Sequence, residues 1–285
     1  MENNDNNDEQ YNNVKMNNVF ICGSVRNCEK YIHSVFLNIK QITNVFNDYH
    51  IILSFDISSD NTLELLTQHQ QEYGIEKMDI LVNQELLPPI RVQRISDSRN
   101  RILGRIREMI TEPPNYWNYF IMMDFDDVCS HQINVKILSH YLTRNDWDCL
   151  TFNRSDYYDI WALSFDNYIY SCWSFPNAKK VVEDMKKMIT QKLSNMNKYD
   201  LYRCYSAFNG FGIYRLDKFI NCEYKWIIDL KQFPRKLLEL NFELTNSQPL
   251  IRVPNLDCEH RSFHFQAITK NNANIMISPH KLFLE

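Results

Sequence analysis

The chain has 285 residues, 44% of them hydrophobic, and a formal net charge of −4 at pH 7. The hydrophobic fraction is large enough for a sizeable core, and the negative charge argues against a basic nucleic-acid-binding face, so we expect no nucleic-acid partner. No apolar run reaches the roughly 18 residues that a membrane-spanning helix needs, so we expect no transmembrane segment.

The first 18 residues are rich in asparagine and lack the apolar core of a secretory signal. We therefore expect a disordered tail over 1–18, one folded domain over 19–285, and a cytoplasmic location. The Asn-, Ile-, Lys- and Tyr-rich usage is compatible with a viral or virion-associated protein. The eight cysteines contain no Cys-x-x-Cys pair, which predicts reduced thiols and no zinc cluster.

Strands alternate with helices through the first half of the chain. The predicted order is strand 19–23, helix 30–46, strand 49–55, a helix that begins at Asp60 or Asn61 and stops at Gly74, strand 78–82, a helix that begins at Ser96 or Asp97 and ends near Ile110, and strand 119–123. Helix 132–142, strand 149–152 and helix 178–193 follow in a less regular second half. This alternation predicts an α/β fold with a mixed, mostly parallel central sheet flanked by helices.

An abrupt acidic turn, Asp124-Phe125-Asp126, follows the apolar strand 119–123. In open α/β sheets, ligands bind beyond the carboxyl ends of the strands. Carboxylates clustered there repel one another unless a cation joins them, and hard oxygen ligands suit Mg²⁺ or Mn²⁺ shared with substrate phosphates. The turn therefore predicts a metal–diphosphate site, with an acidic surface turn as the alternative. A second Asp-x-Asp, Asp146-Trp147-Asp148, precedes its strand, so we expect it at the opposite edge in a structural role.

Other polar residues lie near the same predicted edge of the sheet. Arg26 follows the first strand, Asp56 follows the second, and Arg99 opens the helix before the acidic strand. Arginine binds phosphate through two donors at once, and Asp56 can accept from a ribose hydroxyl or a base N–H. Far downstream, His260 could complete a metal shell. Each residue also has a purely structural explanation. Asp56 could belong to a helix start, Arg99 could lie on a solvated helix face, and His260 could be a structural histidine.

Six segments together resemble the GT-A-fold glycosyltransferases, most closely the family-2-like enzymes and the fungal capsule mannosyltransferase type. The matching segments are 54–62, 99–101, 123–127, 157–162, 209–215 and 258–260, and they include the Asp-x-Asp motif, a Tyr-Asp-x-Trp-Ala segment and Cys-Glu-His. The ordered match covers about residues 19 to 265. Each segment is weakly specific by itself, whereas their order and spacing are fairly specific.

The resemblance implies a single GT-A, Rossmann-like domain that moves a hexose from a nucleotide-sugar to a hydroxyl of a glycan or glycoprotein. Residues 19–150 would bind the nucleotide and 151–285 the acceptor, and a UDP-sugar is favoured over a GDP-sugar. Asp124, Asp126 and His260 would hold Mn²⁺ or Mg²⁺.

The resemblance also places the donor-binding residues. Asp56 would face the base or ribose, Arg26 and Arg99 the diphosphate, and Asp124 the ribose or metal. Gly210 would let the backbone approach the sugar, and Trp161 would wall the sugar pocket. The oligomeric state stays open, and a homodimer is one possibility.

The catalytic base has two candidates. Many inverting relatives carry an obvious Glu-Asp pair, and this chain has none in a suitable place. Asp159 and Glu259 are therefore the candidate bases, and retention or inversion of the anomeric centre stays open.

Two other functions are compatible with the pattern. A nucleotidyltransferase would want a glycine-rich basic loop after the first strand, and residues 24–28 are a poor version of one; only five glycines occur, and both Gly-x-Gly-x-x-Gly and the Walker A loop are excluded. The other alternative is a non-catalytic relative that only binds a sugar or nucleotide; the intact Asp-x-Asp and His260 argue against it but leave it open.

Overall fold

The computed structural model describes residues 17–111, 117–166, 168–175, 177–227, 235–236, 239 and 256–284. The strands of this part of the chain are β1 (Asn18–Val25), β2 (Asp48–Phe55), β3 (Met78–Val82), β4 (Trp117–Met123), β5 (Cys149–Asn153), β6 (Tyr202–Cys204), β7 (Phe211–Arg215) and β8 (Ile275–Lys281). The helices are α1 (Glu29–Thr43), α2 (Thr62–Tyr73), α3 (Arg91–Ile110), α4 (Val135–Leu142), α5 (Ala178–Ser194), α6 (Leu216–Phe219) and α7 (Glu259–Asn271).

The strands form one sheet in the order β3-β2-β1-β4-β7-β5-β8-β6. Strands β1 to β4 are mutually parallel, and β8 runs parallel to β5. The two reversed strands are β7, which lies antiparallel between β4 and β5, and β6, which pairs with β8 at the edge. The predicted mixed, mostly parallel sheet with flanking helices is confirmed.

Both faces of the sheet are covered, and β4 shows how. Phe120 and Met122 pack into the core that α3, α5 and α7 complete, whereas Ile121 and Met123 pack into the core that α1, α2 and α4 complete. A parallel strand buried on both faces reads as a continuous apolar run rather than an alternating one. The polar residues that follow such a strand are therefore the first ones free to meet solvent at the sheet edge.

Helix α3 begins five residues before its predicted start, so the prediction that Ser96 or Asp97 caps it is wrong. The helix starts at Arg91, directly after Ile90, and Ser96 lies on its buried face. A buried serine inside a helix looks like a cap in sequence because the same residue type suits both places. The connection between β3 and this helix is therefore only the segment 83–90.

The described part of the second half contains five strands and α-helices that were not predicted from the sequence: β6, β7, β8, α6 and α7. In α7 the nine residues from Glu259 to Ala267 are all buried, whether polar or apolar. No apolar stripe therefore exists to mark this segment as a helix.

The predicted organisation along the chain, a tail followed by one domain with two functional halves, stays a prediction. Strands from both predicted halves, 19–150 and 151–285, share the sheet, and the division of roles between the halves stays a prediction. Residues 1–16 of the predicted tail lie outside the described residues, and β1 begins at Asn18. None of the described helices is long and apolar enough to cross a bilayer.

Candidate active site

The carboxyl ends of β1, β2 and β4 border a pocket of about 440 Å³. Nine of the predicted site residues line it: Arg26, Asp56, Arg99, Asp124, Asp126, Asp159, Trp161, Glu259 and His260. Gly210 lies behind this lining, where its carbonyl accepts the N–H of Asp124 at 2.9 Å. The structure thus brings together residues that stand up to 234 positions apart in the chain, from 26 to 260.

The acidic turn places two carboxylates side by side at the end of β4. Asp124 accepts from the hydroxyl of Tyr158 at 3.0 Å and from Arg99 at 3.3 Å. Asp126 accepts the N–H of Val128 at 3.1 Å, which opens the 3-10 turn that follows. Burial, and then the charge of Asp124, raise the pKa of Asp126 to about 6. A bound cation would relieve this repulsion, since it favours both charged forms.

Arg99 is the buried centre of the pocket's charge network. Its guanidinium forms a short ion pair with Glu259 and a short contact with His260 Nε2, and it also bonds Asp124. It stacks over the ring of Phe208 at 4.7 Å. Burial opposes the charge, yet Glu259 and Asp124 outweigh it and raise the pKa of Arg99. Arg99 lines the pocket and pairs with protein carboxylates, and its predicted role at the diphosphate stays a prediction.

His260 is a neutral, stacked ring rather than a free ligand. Its ring lies 3.8 Å from that of Phe208, and burial, followed by the nearby charge of Arg99, lowers its pKa well below the usual value. Nε2 contacts Arg99, whereas Nδ1 has no hydrogen-bond partner within the described part of the chain. A neutral imidazole is the form that binds metals, although the nitrogen that faces Arg99 is occupied.

The donor set fits a metal only in part. Among the described residues, no three histidine, cysteine or acidic side chains are arranged to hold an ion. The pair Asp124 and Asp126 does fit Mg²⁺ or Mn²⁺ that is completed by substrate oxygens, because such ions are often held by one or two carboxylates plus phosphates. Asp124, Asp126 and His260 as a complete ligand set stays a prediction.

The two candidate bases have different surroundings. Asp159 lies in the loop after β5, where Oδ1 accepts the N–H of Ala162 at 3.2 Å. Burial, and then the charges of Asp124 and Glu259, raise its pKa to about 7. Glu259 is 5% exposed and paired with Arg99. Asp159 is therefore the more exposed of the two carboxyl groups, and its own pKa lies near neutrality.

A hydrogen bond connects the loop after β1 to the loop after β2, and both loops line the pocket. The Arg26 side chain donates to the carbonyl of Ile57 at 3.3 Å. Asp56 accepts from Arg101 at 2.7 Å and from Asn83 at 3.0 Å through one carboxylate oxygen. Asp56 also borders a second cavity of about 730 Å³ beneath the 82–88 loop. Asp56, predicted to face the nucleotide, therefore lines both cavities.

The lining also contains residues that the sequence did not single out, among them Arg91, Arg94, Tyr158 and Phe208. The two arginines precede the helix start that the sequence predicts, so no helix geometry placed them at the sheet edge. Tyr158 is adjacent to Asp159 in the Tyr-Asp-x-Trp-Ala segment, which could have singled it out. Phe208 carries no such signal, because it is one apolar residue among many.

No protein-family model matches this chain, and no curated protein does either. Among solved structures, a part of TarS from S. aureus in complex with UDP aligns with 14% identity and a TM-score of 0.46, over 93% of this chain and 59% of that one. A glucosyl-3-phosphoglycerate synthase from Mycobacterium tuberculosis, in complex with Mn²⁺, UDP and phosphoglyceric acid, aligns with 11% identity and a TM-score of 0.42, over 74% and 60%.

A third structure is a mannosyltransferase from Pyrobaculum calidifontis in complex with GDP-Man and Mn²⁺. It aligns with 8% identity and a TM-score of 0.40, over 73% of this chain and 47% of that one. The chain thus spans about three fifths of the length of the TarS fragment and of the synthase, and about half that of the mannosyltransferase.

Proposed function

We propose that the protein is a metal-dependent glycosyltransferase of the GT-A type, which moves a hexose from a UDP- or GDP-sugar to a hydroxyl of a glycan or protein. One observation carries the proposal. The acidic turn that ends β4 shares a single pocket with arginine side chains and with a carboxyl group whose pKa is about 7. Anion-binding groups, paired metal-binding carboxylates and a candidate base are the parts that this reaction needs.

Asp124 and Asp126 would hold the Mn²⁺ or Mg²⁺, with His260 as the third predicted ligand, and the ion would neutralise charge on the diphosphate oxygens. Asp56 would accept from the ribose or base. Trp161, whose indole N–H has no partner among the described residues, would offer an apolar wall and a donor to the sugar.

Asp159 would accept the proton of the acceptor hydroxyl. A general base works best when its pKa lies near the working pH, and the pKa of Asp159 is raised to about 7. Glu259 would act instead through Arg99, because their ion pair fixes both side chains. We therefore favour Asp159 over Glu259 as the base.

The test is nucleotide release from a panel of UDP- and GDP-sugars with Mn²⁺, compared between wild type and Asp126→Asn. We expect the variant to lose at least about 100-fold in rate, because the oxygen that meets the cation becomes a neutral amide. It should also lose the Mn²⁺-dependent rise in melting temperature that UDP or GDP gives the wild type.

The matched control is Asp127→Asn, which changes an exposed neighbouring acid to the same amide. It should retain most of the rate and the full melting shift. Nucleotide binding that needs no metal and survives Asp126→Asn would overturn the proposal.

A further inference from the structure

The first turn of α3 forms one wall of the pocket. Arg91, Val92, Arg94 and Ile95 all line it. The helix has no side-chain cap at Ile90 and no acidic residue in its first turn. The first backbone N–H groups of a helix lack intrahelical acceptors, and the helix dipole makes that end attract anions.

The arginines of the pocket differ in their partners. Arg26 donates to the carbonyl of Ile57, Arg94 to the carbonyls of Pro88 and Pro89, and Arg99 to buried carboxylates. Arg91 is exposed and has neither a hydrogen bond nor an ion pair with any described residue. A cation at the positive end of a helix is disfavoured by the dipole. An anion bound in the pocket would attract both the Arg91 guanidinium and the positive end of the helix, and would so offset this repulsion.

Besides the indole N–H of Trp161, polar atoms of Arg99 and His260 in the lining have no hydrogen-bond partner among the described residues. Arg99 is 5% exposed and its Nε has no partner in the described chain; His260 is 1% exposed and its Nδ1 has none. The Nε of Arg99 can only donate, since a guanidinium carries no acceptor. Buried donors without acceptors are costly, so their presence in a pocket indicates a ligand that brings acceptor oxygens.

We propose that Arg91 and the uncapped first turn of α3 bind the diphosphate of the donor. The inference rests on the proposed function and deepens it, since it names the residue that receives the leaving group. As the acceptor oxygen bonds to the anomeric carbon, the bond from that carbon to the diphosphate breaks. Its electron pair stays on the phosphate oxygen, and the acceptor proton passes to Asp159. The guanidinium of Arg91 meets the charge that develops on this oxygen through two parallel donors.

The experiment measures the dissociation constants of UDP, GDP and inorganic pyrophosphate by calorimetry, with and without Mn²⁺, for wild type and Arg91→Ala. We expect Arg91→Ala to weaken the binding of the nucleoside diphosphates and of pyrophosphate by about 10- to 100-fold, as the loss of a charged hydrogen bond does. The dissociation constants of Arg91→Lys should lie between those of wild type and Arg91→Ala. Lysine keeps the positive charge but lacks the planar guanidinium with its two parallel donors.

The matched control is Arg203→Ala, which removes an exposed arginine of β6 that has no described partner and lies outside the pocket lining. It should bind all three ligands like wild type, and both variants should keep the wild-type melting temperature. Equal affinities in wild type and Arg91→Ala would overturn the inference while leaving the proposed function standing. Arg91-dependent pyrophosphate binding in a protein that binds neither UDP nor GDP would support the anion site and overturn the proposed function.

Discussion

Asp159 and Asp126 hold protons more tightly than ordinary carboxyl groups do, because each is partly buried beside Asp124. Crowding of like charges in a half-buried site is unfavourable for the empty protein. It is useful for chemistry, since a carboxyl group with a pKa near neutrality can take up and release a proton at the working pH. The same environment therefore predicts both an activity profile and a stability change.

We expect the kcat/KM of transfer to rise with pH through about 7, as Asp159 loses its proton and becomes able to accept one. Asp159→Asn should abolish this rise and most of the activity. The check is a pH series of initial rates at saturating Mn²⁺, and a pH-independent rate in the wild type would contradict the assignment.

The stability of the ligand-free protein should change in the opposite sense. A carboxyl group with a higher pKa in the folded than in the unfolded chain binds its proton more tightly when folded. The free energy of unfolding therefore falls as pH rises from about 4, the unfolded value, to about 7. Asp159→Asn should raise the free energy of unfolding by about 1–3 kcal/mol near pH 8 and leave it almost unchanged near pH 4, as urea titrations would show.

At the scale of elements, the turn before β7 fixes the end of β4. Gly210 has a φ of +86°, and its carbonyl holds the N–H of Asp124. A Cβ added there would lie 2.2 Å from a methyl group of Val128, the residue whose N–H bonds Asp126. The glycine is thus required by both its conformation and the lack of space, and both acids of the turn depend on it.

Two glycine-to-alanine changes should have opposite effects. Gly210→Ala should lower the free energy of unfolding by about 1–3 kcal/mol and weaken Mn²⁺-dependent nucleotide binding. Gly104→Ala, in the middle of α3 with nothing within 4 Å of the added carbon, should raise it by about 0.5–1 kcal/mol and leave binding unchanged. Denaturant titration measures the free energy of unfolding, and calorimetry measures nucleotide binding. If Gly210→Ala changes neither quantity, the role given to this turn is wrong.

The two Asp-x-Asp segments show how far a short pattern can be read. The first follows β4 and lines the pocket, whereas the second precedes β5. There Asp148 accepts the N–H of Asn274 at 2.8 Å, and Asp146 pairs with Arg144, which lowers its pKa. The structural role expected for the second segment agrees with these contacts. Position relative to a strand, rather than the pattern of residues, separated the two.

At the scale of the whole molecule, the sheet is completed by a strand from the far end of the chain. Strand β8 lies between β5 and β6 and pairs with both. Ile275 and Ile277 are fully buried in the core on the side of α3, α5 and α7. The second half of the sheet therefore depends on this segment, although it stands more than 120 residues after β5.

A chain that ends at Asn274 should not reach a cooperatively folded state, because β5 and β6 would expose backbone groups and apolar side chains together. Deletion of residues 1–16, whose composition predicts a disordered tail, is the control and should leave cooperative unfolding intact. Near-ultraviolet circular dichroism during urea titration distinguishes the two. A cooperative transition in the chain that ends at Asn274 would show that β8 is dispensable.

The sequence by itself determined the alternating first half and the acidic turn at the end of its last strand. It also placed Arg26, Asp56 and Arg99 near that edge, because strand periodicity, apolar runs and the direction of parallel strands are local properties. Only the tertiary structure decided which of these residues are free. Arg99 meets Glu259, which lies 160 residues later, while Arg91 has no partner among the described residues. The reason is that the partner of a buried charge depends on how distant elements pack. The first nine residues of α7 are all buried, so this helix has no periodic signal in the sequence.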